Sequence, residues 1–129
     1  MTMPHERTRS LRWGWELVAA IADDPEVDES IKQEAALIQA TYPSPDLIAR
    51  LIDADASGLP PPAAQSISAA ADLFIRLRLN LQGTAETRHH LVCTLRHFPQ
   101  PTELRLMGSQ SHHFRITDSL LPEDWYDRR

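Results

Sequence analysis

The chain has 129 residues, 42% of them hydrophobic, a single cysteine and a formal net charge of −5. That is enough for one domain with a modest core of its own, while a lone Cys93 excludes an internal disulfide and the acidic balance argues against general nucleic-acid binding. No apolar run reaches the roughly 18 to 20 residues that span a bilayer, and no secretory-type leader opens the chain, so the expected location is the cytoplasm.

From Pro4 to Ala22, the residues Leu11, Trp15, Val18 and Ala22 recur at helical spacing, widened by Leu17 and Ile21, and predict an amphipathic helix with Trp15 in the core. Pro25 breaks it, and Asp28 is placed to cap a second helix reaching about Thr41, with Ile31, Ala35, Ile38 and Tyr42 on one face. The segment YPSP stops that helix. Ser44 then serves as an N-cap and Pro45 as a first helical residue for a short third helix carrying Leu47, Ile48, Leu51 and Ile52.

The stretch SGLPPP at 57–62 reads as an internal linker, because a glycine and three prolines cannot continue a helix. Beyond it, Ala63, Ile67, Ala71, Phe74, Leu77 and Leu81 predict the longest helix, over 62–81, ended by Gly83. Thr84 is placed to cap a helix running to about His97, with Leu91, Leu95 and Phe98 as its apolar stripe. The segment 101–117 reads two ways, as a helix started by Pro101 and followed by an extended stretch at 113–117, or as a hairpin around Gly108–Ser111. The helix is preferred. Leu120, Leu121 and Trp125 predict a tail docked on the helices.

TYPSP at 41–45 and HFPQP at 97–101 repeat one idea: an aromatic residue, a proline, a spacer and a second proline. Sliding the chain by 56 positions, the separation of Tyr42 from Phe98, also places Glu16-Leu17 on Asp72-Leu73, Ile21 on Leu77 and Ala35-Ala36 on Leu91-Val92. Each unit exposes an apolar face that it cannot bury alone, so two copies pack together. The expected fold is an all-α single domain over 1–129. Five to six helices form two similar helix-loop-helix halves, about 4–56 and 62–108, with a short extended C-terminal segment over 109–129.

Charge is uneven. Residues 16–60 hold two basic and ten acidic side chains, a net −8, whereas 61–108 carry a net +2. Asp23, Asp24, Glu26, Asp28, Glu29, Asp53 and Asp55 are therefore candidates for an acidic surface that steers a basic partner into place, set against the alternative of solubility and helix-end charge. Trp13, about 200° around the helix from Trp15, is a candidate partner or self-association contact. Arg7, Arg9 and Arg12 read as a solvated basic face.

His89, Cys93 and His97 recur at i, i+4 and i+8, a spacing that lays zinc-type ligands along one helix side, with His112 or His113 as a possible fourth. The repeat places Leu37 at the level of Cys93, which instead suggests a packed apolar site, and metal is not expected. Arg88 and Arg96 with His89, His90, His112 and His113 invite a nuclease reading. Adjacent histidines on a helix point about 100° apart and do not converge, so no catalysis and no cofactor are expected.

The opening MTMPHERTRSLRWGWELV, with the later ATYPSPDLI, resembles a family of short uncharacterised bacterial proteins that begin Met-Thr-x-Pro-x-Glu-Arg-Thr-Arg and end a second helix in Leu-Arg-His-Tyr-Pro-Ser. Pro4, Glu6, Arg7, Thr8, Arg9, Tyr42, Pro43 and Ser44 carry the resemblance, and LRHFP at 95–99 looks like the second motif again. It implies a small helical unit and brings no activity, cofactor or site residue. The expected function is a small acidic protein that neutralises a protein partner, as an immunity protein or antitoxin does a basic toxin domain. The alternative is a homodimeric regulatory or adaptor protein built through Trp13 and the first helix.

Overall fold

The computed structural model describes residues 1–110 and 113–128, and these form six α-helices and one 3-10 turn with no strand among them. The helices are α1 Pro4–Ala22, α2 Glu29–Thr41, α3 Pro45–Asp53, α4 Pro61–Asn80, α5 Ala85–His97 and α6 Pro101–Met107; Ile116–Asp118 make the 3-10 turn. The expected extended stretch at 113–117 is present only locally, at Arg115 (φ −120°, ψ 142°), before the chain turns.

Two similar halves make up the fold. Both bounds of α2 and α5, and the first residues of α3 and α6, differ by the same 56 positions that separate Tyr42 from Phe98. The local cause is the aromatic-Pro-x-Pro motif. A proline clashes with a helical conformation in the residue before it, so Tyr42 (φ −64°, ψ 134°) and Phe98 (φ −63°, ψ 142°) leave the helix in matching extended conformations. The second proline, Pro45 or Pro101, then takes the first position of the next helix, where its missing N–H costs nothing. Ser44 Oγ accepts from Leu47 N (3.2 Å), and at the equivalent cap the Glu103 carboxylate accepts from Gln100 N (2.7 Å).

The core carries the same relation. Leu11 and Ile67, Leu17 and Leu73, Val18 and Phe74, and Ile21 and Leu77 are equivalent pairs, and all eight are buried. Each full burial is worth about 1.5–3 kcal/mol. α1 packs on both α2 and α5, and α4 does likewise, so each long helix lies against its own partner and its sister's. Equivalent serines mark the crossing. Ser10 Oγ donates to His97 O (3.0 Å) in the other half, and Ser66 Oγ donates to Ile38 O (3.1 Å).

At the centre sits Gly14. A Cβ there would fall 2.5 Å from Tyr42 Oη and 2.8 Å from Phe98 Cε1, so the missing side chain makes room for both motif aromatics. Tyr42 Oη donates to Leu11 O (2.7 Å), and Phe98 meets Phe74 edge-on at 5.5 Å. This corrects the placement of Trp15, which is 40% exposed. The buried arc of α1 is centred on Gly14, and both Trp13 and Trp15 lie about 100° to either side of it.

Three further expectations change. Leu81, expected in the core, is 73% exposed and ends α4 itself in a left-handed conformation (φ 55°), with Gly83 (φ 102°) two residues on. Leu37 is also exposed, while Cys93 is half-buried. The SGLPPP linker is held rather than loose: Leu59 is fully buried and its N–H donates to Met107 O (2.6 Å). Next to it, Ile116 N donates to Ala56 O (2.8 Å), which ties the C-terminal segment to the same stretch.

Candidate functional site

The acidic candidates fall into two groups at opposite ends of α1. Asp23, Asp24, Glu26, Asp28 and Glu29 surround the α1–α2 loop. Asp53 and Asp55 lie by the end of α3, whose Ile48 and Ile52 line a groove with Leu11 and Arg12 of α1. Arg12 and Asp23 are eleven residues apart along α1, about 16 Å at helical rise. One continuous acidic patch is therefore not formed.

Asp24 does not belong to the surface. It is 4% exposed, and its Oδ2 accepts from Thr84 N (3.0 Å) and Thr84 Oγ1 (3.2 Å) while Oδ1 accepts from Glu26 N (2.8 Å). Burial pushes its carboxyl up, but the hydrogen bonds from Thr87, Glu26 and Thr84 outweigh this and hold it below the ordinary value. Asp28 stays exposed but is also tied to the neighbouring loop. It occupies the N-cap position of α2 without capping it, exchanging two hydrogen bonds with Gln82 instead (2.9 and 3.0 Å). Glu26 O accepts from Gly83 N (3.3 Å). The α1–α2 loop thus staples onto its sister loop, α4–α5.

Of the remaining candidates, Glu29 pairs with Lys32 (3.6 Å), and Asp55 (φ 48°) accepts from Thr117 Oγ1 (2.6 Å). Asp23, Glu26 and Asp53 are exposed and have no ion-pair partner among the described residues. So is Asp46, at the first turn of α3, which the pattern reading passed over. Its position in a helix start, where a carboxylate is locally favourable, conceals that it is also free. Trp13 is half-buried, with the Arg9 guanidinium 5.0 Å from its ring centre. The basic face is likewise engaged: Arg7 pairs with Glu103 (2.5 Å) and Arg12 with Glu123 (2.9 Å).

The α5 line does not assemble a metal centre. Cys93 Sγ lies 3.6 Å from His89 Nε2, but His97 is turned to α1 and the residues before it, where Nε2 meets Glu6 (3.3 Å) and Nδ1 meets Thr2 Oγ1 (3.0 Å). Among the described residues no group of three or more His, Cys, Asp or Glu side chains is arranged to hold a metal ion. His113 is exposed, and His112 lies outside the described residues. No helix among the described residues is long and apolar enough to cross a membrane.

A concavity of about 170 Å³ lies between α1, α3 and the C-terminal tail. Leu11, Pro43, Pro45, Ile48 and Ile52 make its apolar part, and the tail supplies Pro122, Glu123 and Asp124. Arg12 forks onto Glu123 through Nε and Nη2, both at 2.9 Å, a bidentate pair. That hydrogen bond, set against partial desolvation, raises the Arg12 guanidinium above its ordinary value. Asp124 pairs with Arg128 (2.8 Å), and His5 stacks on Trp125 with ring centres 6.3 Å apart. Leu120 is fully buried, as the docked tail requires. The tail therefore forms one wall of the groove, and among the described residues no imidazole and no second unpaired carboxylate lines it beside Asp53.

Compared with known proteins, the chain matches no family model, no curated protein and no solved structure.

Proposed function

We propose that this chain is a non-catalytic binding protein that docks a basic protein surface, the task of an immunity protein or antitoxin towards a basic toxin domain. The observation that carries this reading is the set of exposed, unpaired carboxylates Asp23, Glu26, Asp46 and Asp53, all within the segment of net −8. Unpaired carboxylates keep their charge available for long-range steering and for ion pairs formed on contact. Asp24 and Asp28 are excluded from the docking set because they hold the two loops together.

A partner isolated by affinity capture at low salt, then titrated calorimetrically, tests this. The affinity is expected to fall at least about tenfold between 50 and 500 mM salt, and again when Asp23 and Glu26, or Asp46 and Asp53, are changed to lysine. Binding indifferent to both salt and charge reversal rejects the proposal.

A second reading, a homodimeric adaptor built on α1, is favoured by one observation: Trp15 stands 40% exposed on one flank of the helix, with the half-buried Trp13 on the other. Sedimentation of wild type, Trp13→Ala and Trp15→Ala decides it, and a monomer in all three rejects it.

A further inference from the structure

The cavity between α1, α3 and the tail is graded from floor to rim. Leu11, Ile48 and Ile52 at its floor are each less than a tenth exposed, whereas Asp53, Glu123 and Asp124 at its rim are exposed. Apolar walls with a few polar groups at the mouth are the usual construction of a small-molecule pocket. Its volume of about 170 Å³ is of the size at which an apolar cavity takes up one benzene ring.

The charges say what kind of molecule fits. Two arginines and three carboxylates line the cavity, a net −1. Four of the five are engaged with each other, Arg12 with Glu123 (2.9 Å) and Arg128 with Asp124 (2.8 Å). Asp53 is left over, exposed and with no ion pair or hydrogen bond from its carboxylate among the described residues.

That carboxylate also stands in an electrostatically poor place. Asp53 is the last residue of α3, where the outward-pointing backbone carbonyls disfavour a negative charge and favour a cation. The repeated frame does not demand an acid here. Its equivalent in the second half is Ser109, whose Oγ donates to Leu106 O (2.8 Å) and so satisfies a carbonyl at the end of α6, a bond that an ionised carboxylate cannot make. A cation at the rim answers both Asp53 and the end of α3, and an apolar ring answers the floor. An anion would meet the net negative lining, and a purely polar cation would make no use of Leu11, Ile48 and Ile52.

We infer that this cavity is a binding site for a small organic ammonium compound, with one benzene-sized apolar group seated on Leu11, Ile48 and Ile52 and its ammonium group at Asp53. The inference does not rest on the docking of a basic protein proposed above. Asp53 belongs to both, but Asp23 and Glu26 do not line the cavity, so reversing their charge tests the docking surface and leaves the pocket as it is.

The test is methyl NMR of the full chain at neutral pH and low salt, titrated with benzylamine and, in separate arms, with its neutral and anionic analogues benzyl alcohol and benzoate. Benzylamine is expected to give saturable shifts at the Leu11, Ile48 and Ile52 methyls and to bind at least about threefold tighter than benzyl alcohol, with benzoate the weakest of the three. Asp53→Asn should abolish the preference for the amine while leaving the affinity for benzyl alcohol and the melting temperature unchanged, since the side chain is exposed and unpaired. Four results overturn the inference: no saturable shifts at these methyls with any of the three compounds, equal affinity for all three, a preference for the amine that survives in Asp53→Asn, or tighter binding of Nα-acetyl-lysinamide than of benzylamine, which would assign the cavity to a lysine side chain of a protein partner.

Discussion

At one face of α1 and the residue that follows it stand Ala19 and Asp23; at the equivalent face of α4 stand Ile75 and Leu79, both more than half exposed. Inward from those positions the halves agree almost residue for residue, Leu17 with Leu73 and Ile21 with Leu77. The same backbone thus carries a polar, acid-rich surface on one side and, on the other, a surface where Ile75 and Leu79 stand exposed. Inward positions answer to packing, which the repeat constrains twice. Outward positions answer to what each surface meets, and there the halves have diverged.

The most damaging way to break the equivalence is to fill the space at Gly14. Gly14→Val drives Cβ into Tyr42 and Phe98 together and is expected to cost about 3 kcal/mol in urea unfolding. Ala70→Gly, at the position equivalent to Gly14, is expected to cost only about 1 kcal/mol, the helical price of glycine. If the two changes cost the same, Gly14 is not the shared seat of the motif aromatics.

Next is the staple between the loops. Asp24→Ala leaves the Thr84 and Glu26 amides without their acceptor and is expected to cost about 2 kcal/mol. Because the Asp24 carboxyl is held below its ordinary value, its contribution is present above that value and is lost as pH falls through the lower folded one. Wild-type stability should therefore decline as pH drops below about 4. Asp24→Asn should flatten that decline without abolishing it, since Glu6 is shifted in the same direction by its hydrogen bond to the Met3 amide.

A smaller effect has the opposite sign. Thr94, fully buried at the position equivalent to Ile38, has an Oγ1 without a hydrogen-bond partner among the described residues. Thr94→Val removes that cost while keeping the shape, and is expected to raise stability by about 1 kcal/mol by thermal or urea denaturation. Smallest of all, Asp23→Lys with Glu26→Lys should change folding stability by less than about 0.5 kcal/mol, while altering partner affinity if the acidic surface is used.

Much of this fold was legible because its punctuation is local. Ser44, Pro45, Thr84 and Pro101 set helix starts through neighbours three residues away or through their own ring, and α3, α5 and α6 begin where those residues place them. Trp15 was misplaced because a hydrophobic pattern weighs side chains, and the centre of the buried arc is a residue that has none. The acidic set was misjudged for a different reason. Thr84 and Gln82 lie 60 and 54 positions from Asp24 and Asp28, so nothing near those aspartates in the chain shows that they bind across to the sister loop. The exposed apolar strip of α4 was missed although its residues were on view. Its signal is a difference between equivalent positions, which appears only once the halves are aligned outward face against outward face.

The pinning of Leu59 has its own consequence. A protease needs several consecutive residues that it can draw out into its cleft, and composition alone would direct it to the glycine-and-proline junction between the halves. That junction is anchored from two directions, by Met107 through Leu59 and by Ile116 through Ala56. Cleavage there has to wait until α6 and the C-terminal segment let go, so the spot that looks most easily cut is guarded by the parts of the chain that come after it.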